Sequence, residues 1–244
     1  MIRDNNAAML TDAIGRVQRL RSEWKARIEV DVEGMVAGVR ARIESRLSLT
    51  PLPIDGDLQE HRGRLGIGRV RTWAFESPEL RKVVVAQVSV RPMIDAFALV
   101  LSPRRDLAAP IFAADLVVLP TRLAAHADIY GRPKMTRGLL APLDANFARL
   151  GSAAGPEWAA RVGSSEGLHV HTSPRLVDEL FAAVTGALGL YVTALLDAPR
   201  GAADTARDQN DFFAAFHAHG PRTGPLGTLF GPAWAERFSR LMFE

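Results

Sequence analysis

The sequence predicts an α+β fold in which helices pack on a mainly antiparallel sheet. The order of periodicities carries this: a helical stretch first, then a run of strands, then helices again. The strands also follow one another too closely for parallel crossovers, which need about a dozen residues or more. A chain of 244 residues with 48% apolar and 23% charged side chains is long enough for one well-filled core and short for two. One domain over residues 1–244 is therefore expected.

Residues 10–47 read as the opening helix. Ala13, Val17, Leu20, Trp24 and Ile28 recur at helical spacing. Thr11 or Asp12 suits its cap, Gly34 and Gly38 suit a break, and Pro51 and Pro53 end the region. From His61 to Phe75, Leu65, Ile67, Val70 and Trp73 alternate with Gly, Arg and Thr, as in one or two strands. Lys82–Val90 is β-branched, and Ile94–Leu101, Ile111–Pro120 and Leu123–Ile129 are further strand-length runs. Residues 133–165 are irregular, and Leu168–Thr172 is one more short strand.

Arg175–Leu196 is the strongest helix. Leu176, Leu180, Val184, Leu188 and Val192 recur every four residues, Ser173 can cap it, and Pro174 suits its first turn. Asp211–His217 reads as a shorter helical piece and Trp234–Phe243 as the last helix.

The chain has no cysteine, which excludes disulfides, zinc–thiolate sites, cysteine-ligated iron–sulfur clusters and thiol nucleophiles. No apolar run reaches the roughly 20 residues that span a bilayer. Met1–Leu20 mixes charge throughout and lacks the apolar centre of a signal peptide. A cytoplasmic protein that makes no use of a membrane is expected. Net charge is only +3, yet the pI is 9.8 because arginine dominates the bases. That surplus suits an acidic partner. With 7% aromatics and no dense basic stripe, nucleic acid is not expected.

Several motifs look like sites but lack the context their chemistry needs. Gly163-Ser164-Ser165-Glu166-Gly167 matches G-x-S-x-G, but that elbow needs a strand before it and a helix after it. Here a polar loop leads in and a strand leads out, as in a flexible loop. Gly63, Gly66 and Gly68 lack the helix start and Lys-Ser/Thr of a phosphate loop and read as glycines of a twisted strand. His169 and His171 share one face of a strand and amount to half a metal site, but no acidic or imidazole residue at suitable spacing completes it. A solvent-facing pair is the expectation. His217 and His219 raise the same question with the same answer, and no metal is expected.

Two stretches carry more. The first runs from Ser77-Pro78-Glu79-Leu80-Arg81-Lys82 through Leu101-Ser102-Pro103 to Pro110-Ile111-Phe112-Ala113-Ala114-Asp115-Leu116-Val117. The second is Gly220-Pro221-Arg222-Thr223-Gly224-Pro225-Leu226, then Leu229-Phe230-Gly231-Pro232-Ala233-Trp234-Ala235-Glu236-Arg237-Phe238 and Leu241-Met242-Phe243-Glu244. Together they resemble the ferredoxin-dependent bilin reductases, the group containing phycocyanobilin:ferredoxin oxidoreductase, phytochromobilin synthase and the phycoerythrobilin-forming enzymes. Pro156-Glu157-Trp158 is similar to a further Pro-x-Trp of that family. The likeness spans residues 48–244, behind an N-terminal helical region at 1–47.

The resemblance implies a three-layer α/β/α sandwich with the bilin between the sheet and the C-terminal helices. It implies no metal or flavin of the protein's own, and a transient encounter with acidic ferredoxin, which delivers single electrons. The protein supplies protons and orientation while the conjugated substrate passes through radicals. A monomer is expected.

Asp115 lies among apolar residues, where burial would raise its pKa and make it a proton donor. The family's aspartate that protonates and holds the pyrrole nitrogens falls at this position. Arg81 and Lys82 match the family's Arg-Lys pair and suit the two propionates of a bilin, and Arg222 is a further candidate for that task. A solvated pair ahead of a strand fits Arg81 and Lys82 equally well.

The departures narrow the expectation. The glutamate and histidine that several phycocyanobilin-forming members carry align with Ala86 and Ala98. The aspartate that others carry before the proline of the C-terminal loop aligns with Gly220, next to His219. The vinyl reduction that uses the Glu/His pair is therefore not expected. Asp115 is expected as the main proton donor, with His219 or a water in place of the missing partner. Two alternatives stay open: a tetrapyrrole-binding protein without catalysis, and a reductase of a chlorophyll-derived linear tetrapyrrole.

Overall fold

Long β-branched and alternating runs between Arg69 and Tyr130 build the centre of the fold. The computed structural model describes residues 32–63, 66, 68–90, 93–130, 150–151, 153, 168–201, 203–219 and 224–244. Helix α1 spans Val32–Glu44, the described part of the opening helix; residues 10–31 of that expectation lie outside the described residues. The strands are β1 (Thr50–Pro51), β2 (Glu60–Arg62), β3 (Arg69–Glu76), β4 (Leu80–Val90), β5 (Ile94–Pro103), β6 (Ile111–Val118), β7 (Leu123–Tyr130) and β8 (Leu168–Thr172). A one-turn helix α2 (Gly56–Gln59) precedes β2, and helices α3 (Val177–Leu196), α4 (Ala203–His219), α5 (Gly224–Phe230) and α6 (Pro232–Phe243) follow the sheet.

The described strands form one sheet of eight, ordered β1-β3-β4-β5-β6-β7-β8, with β2 also on the outer edge of β3. Every pairing is antiparallel. From β3 to β8 the sheet is a meander, as short connections require. The Ser-Pro-Glu-Leu stretch makes the β3–β4 turn. Ser77 Oγ accepts from the amides of Glu79 and Leu80 at 3.1 and 3.0 Å, and Arg104 Nη2 donates to the Ser77 carbonyl at 2.9 Å.

Helices cover both faces, so the layers run α/β/α. On one face lie α1 and α3. Phe181 of α3 meets Phe97 of β5 edge-on at 5.8 Å, and Arg40 of α1 lies over Phe75 of β3 at 5.3 Å. Ser173 Oγ caps the turn into α3 by accepting from the Arg175 amide at 3.3 Å. Leu180, Val184, Leu188, Tyr191, Val192 and Leu195 are buried along one stripe. The Tyr191 hydroxyl donates to the Pro110 carbonyl at 2.7 Å. The span Pro174–Leu196 is, by length and composition, long and apolar enough to cross a membrane. That corrects the expectation that no such segment exists: isolated Asp, Glu and Thr interrupt the run, but its mean hydropathy stays high. Here the stripe is the core of the α1/α3 layer.

On the other face lie α4, α5 and α6. Phe212, Phe213 and Phe216 of α4 and Phe230, Trp234, Phe238 and Met242 of α5 and α6 pack with Val70, Val84, Ala86, Val100 and Tyr130 of the sheet. Gly231 breaks the chain between α5 and α6 at φ 98, a backbone shape that side chains resist, and Pro232 then starts α6. Helix α4 is 17 residues long, against the shorter Asp211–His217 piece expected; its polar first half hides the periodicity that Phe212, Phe213 and Phe216 show.

Candidate functional site

Register places the site. Thr72, Ala86, Ala98, Asp115, His126 and His169 are successive partners across β3 to β8. Directly opposed residues share a sheet face, and this is the face toward α4–α6. The row has two halves. Over β4 and β5 it offers only the methyl groups of Ala86 and Ala98. Over β6 to β8 it offers a carboxyl and two imidazoles. Ala96, Ala98, Asp115, Val117, Ala124 and His169 are half-buried, and Ala86 is buried. The result is a floor of small side chains with titratable groups along one side.

Asp115 is not sealed among its apolar neighbours. Its side chain is 43% exposed, so the burial expected from sequence is corrected: on a strand, Ala114 and Leu116 point to the opposite face. Its carboxylate Oδ1 lies 3.1 Å from Nδ1 of His126, whose side chain is only 9% exposed. Burial alone would lower the His126 pKa. The hydrogen bond and charge of Asp115, joined by the charge of Asp128, outweigh it and raise the value above 6.5.

His169 stacks on His126, ring centroids 4.5 Å apart and planes 13° apart. Burial, then the charge of His126, push its pKa down to about 4; Asp115 opposes this and His171 adds to it. The solvent-facing pair expected at His169 and His171 holds only for His171, which is exposed. Asp128, a second carboxylate on the same face, is buried, 1% exposed, with Oδ1 accepting from the Ile129 amide at 2.7 Å. Among the described residues no group of three or more His, Asp or Glu is placed to hold a metal ion.

Arg81 and Lys82 point toward the C-terminal helix. Arg81 Nη1 donates to the Glu244 carbonyl, and its guanidinium lies 5.2 Å over Phe213. Its Nε and Nη2 are buried with no acceptor among the described residues. Lys82 Nζ donates to the Leu241 carbonyl at 2.6 Å. Burial, then the charge of Arg81, lower its pKa to about 8, against the pull of Glu244. The pair is thus partnered rather than solvated. His217 Nε2 meets Glu244 Oε1 at 2.8 Å. The side chain of His219, the last residue of α4, and all of Gly220 and Arg222 lie outside the described residues. So do Pro156-Glu157-Trp158 and the Gly163–Gly167 motif.

His126 and Asp128 are the residues that reading the sequence missed. Their signal was the β6–β7 turn at Pro120-Thr121. Folding the chain back there sets Ile111 against Tyr130 and Asp115 against His126.

The fold agrees with what the chain resembles. Its backbone superposes on phytochromobilin synthase from tomato, crystallised with biliverdin, with a TM-score of 0.73 and 14% identity, covering 86% of this chain and 82% of that one; that likeness speaks for the fold alone. It is 26% identical over 220 residues to phycoerythrobilin:ferredoxin oxidoreductase of Gloeobacter violaceus, spanning 79% of this chain and 86% of the relative. The model of the family described as ferredoxin-dependent bilin reductase matches residues 36–244, a span that holds the whole row from Thr72 to His169. The chain therefore belongs to the ferredoxin-dependent bilin reductases.

Proposed function

We propose that this protein reduces biliverdin or a closely related bilin with single electrons from ferredoxin, and that Asp115 hands the substrate its protons. The observation that carries the reading is the floor itself. A half-exposed carboxyl stands in a row otherwise made of small and imidazole side chains, on the face that the C-terminal helices cover only in part. A flat conjugated substrate needs such a floor, and a proton donor must reach it. The site asks for no metal: the substrate holds the electrons and the protein places the proton. Nε and Nη2 of Arg81, buried with no acceptor among the described residues, are donors suited to a propionate. Lys82 serves beside them as a cation at the same edge. The absence of thiols and disulfide chemistry fits a cytoplasmic reductase that meets ferredoxin transiently through its arginine surplus.

A second reading, a tetrapyrrole-binding protein without catalysis, draws on one observation: the row holds only the methyl groups of Ala86 and Ala98 over β4 and β5, the positions that, by the resemblance, align with the glutamate and histidine of several phycocyanobilin-forming members. Anaerobic incubation of biliverdin with ferredoxin, its reductase and NADPH separates the two. A blue-shifted product, formed on the order of 10²-fold or more slower by Asp115→Asn, is expected. Tight binding with an unchanged spectrum would leave the second reading standing, and no binding would sink both.

A further inference from the structure

The floor is lopsided. Its β3–β5 half presents Thr72, Ala86 and Ala98, none of which gives up a proton near neutral pH. Its β6–β8 half presents Asp115, His126 and His169. A two-electron reduction consumes two protons, and Asp115 holds one at most. The side chain touching it has to be considered as the source of the rest.

We propose that His126 is the positioning residue of this site: its imidazole fixes the Asp115 carboxyl at the floor and passes to it each proton that Asp115 gives the substrate. The proposal rests on the reductase reading above and deepens it.

The geometry gives three reasons. First, Nδ1 of His126 is 3.1 Å from Oδ1 of Asp115, a distance across which a proton is shared. Second, the two differ in exposure. Asp115 is open to a ligand on the floor, whereas His126 is buried with the ring of His169 stacked on it, so His126 acts through the carboxyl and not on the substrate. Third, the surroundings favour a charged ring. Among the described residues, the titratable groups facing His126 are Asp115 from β6, His169 and then His171 from β8, and Asp128 and Tyr130 along β7. Two are carboxylates. The imidazole stacked on it, His169, is driven toward its neutral form, so an imidazolium at His126 meets little like charge. A pair of like groups whose environments push them apart marks acid and spectator.

The step balances one electron at a time. A reduced ferredoxin gives one electron to the bilin. The Nδ1–H bond of His126 breaks as an Asp115 O–H bond forms, and that O–H bond breaks as a bond from hydrogen to the substrate forms, leaving a carboxylate beside a neutral imidazole. Solvent recharges the imidazole before the second electron, and the sequence repeats. Two ferredoxins are oxidised, one double bond of the bilin is lost, and two hydrogens are gained. The protons arrive only over β6–β8, so the reduced bond belongs to the part of the substrate lying there.

Two measurements test this on the full chain. In the first, the pH profile of biliverdin reduction is compared for wild type and His126→Gln. Wild-type kcat should fall as pH rises through the His126 titration, above 6.5. The variant should lose on the order of 10²-fold in kcat and lose that limb, with KM nearly unchanged. A variant that keeps both rate and limb overturns the proposal. In the second, ¹⁵N imidazole NMR follows His126 without substrate, in wild type and in Asp115→Asn, so nothing depends on His126→Gln folding. Its titration should move to lower pH in Asp115→Asn; an unmoved titration overturns the coupling. If the coupling is present and no bilin is reduced by wild type, the reductase reading fails and not the pairing.

Discussion

The imidazole of His61 lies flat on the indole of Trp234, ring centroids 4.6 Å apart and planes 18° apart. This contact joins β2, at one edge of the sheet, to α6. The same indole stacks on Phe238 at 5.1 Å and donates from Nε1 to the Asp57 carbonyl at 3.0 Å. Its only 5% exposure gives the tryptophan of the C-terminal motif a packing role. Trp234→Ala should destabilise the fold by about 3–5 kcal/mol, the usual cost of emptying a large aromatic site. Urea unfolding measures it, and a loss under about 1 kcal/mol would show that the site refills.

Lys82 predicts a pH dependence of stability. Its folded pKa of about 8 lies below the free value of 10.5. Between those values the unfolded chain holds a proton that the folded chain has released, so stability rises with pH across that window. Below the window both states carry the charge and its burial cost stands. Lys82→Met should abolish this rise. Unfolding free energies compared from pH 8 to 10.5 test it, and parallel curves for the two proteins would refute it.

Tyr191 ties α3 to the loop before β6 through its hydroxyl and the Pro110 carbonyl, 2.7 Å apart, with 1% of the side chain exposed. Tyr191→Phe keeps the ring against Phe112 and leaves the carbonyl without its donor. A loss of about 1–2 kcal/mol is expected, read from chemical unfolding. No loss would mean that a water takes the hydroxyl's place.

Local signals made the meander readable. Val83, Val84 and Val85 of β4 and the apolar runs of β5 to β7 announce strands, and Ser173-Pro174 announces the start of α3. What stayed hidden depends on pairing. Asp115 looked buried in Ala-Ala-Asp-Leu-Val because a list of neighbours does not say which face each occupies. His126 becomes part of the site only when β6 and β7 are set in register. His169 joins through β8, far along the chain, where no turn length fixes the pairing. Helix α5 was missed because Gly224, Pro225 and Gly227 contradict helical propensity, and packing of Phe230 against the core overrides it.

Helix α3 carries enough apolar surface to be read as a membrane span, which makes its place in the chain matter during synthesis. The strands that supply its seat, β5 to β7, all leave the ribosome before it, and domains fold from the N-terminal side as they emerge. The greasy stripe is thus born next to its own cover. A circular permutant that made α3 first would present the stripe to insertion machinery and chaperones with nothing yet built to receive it.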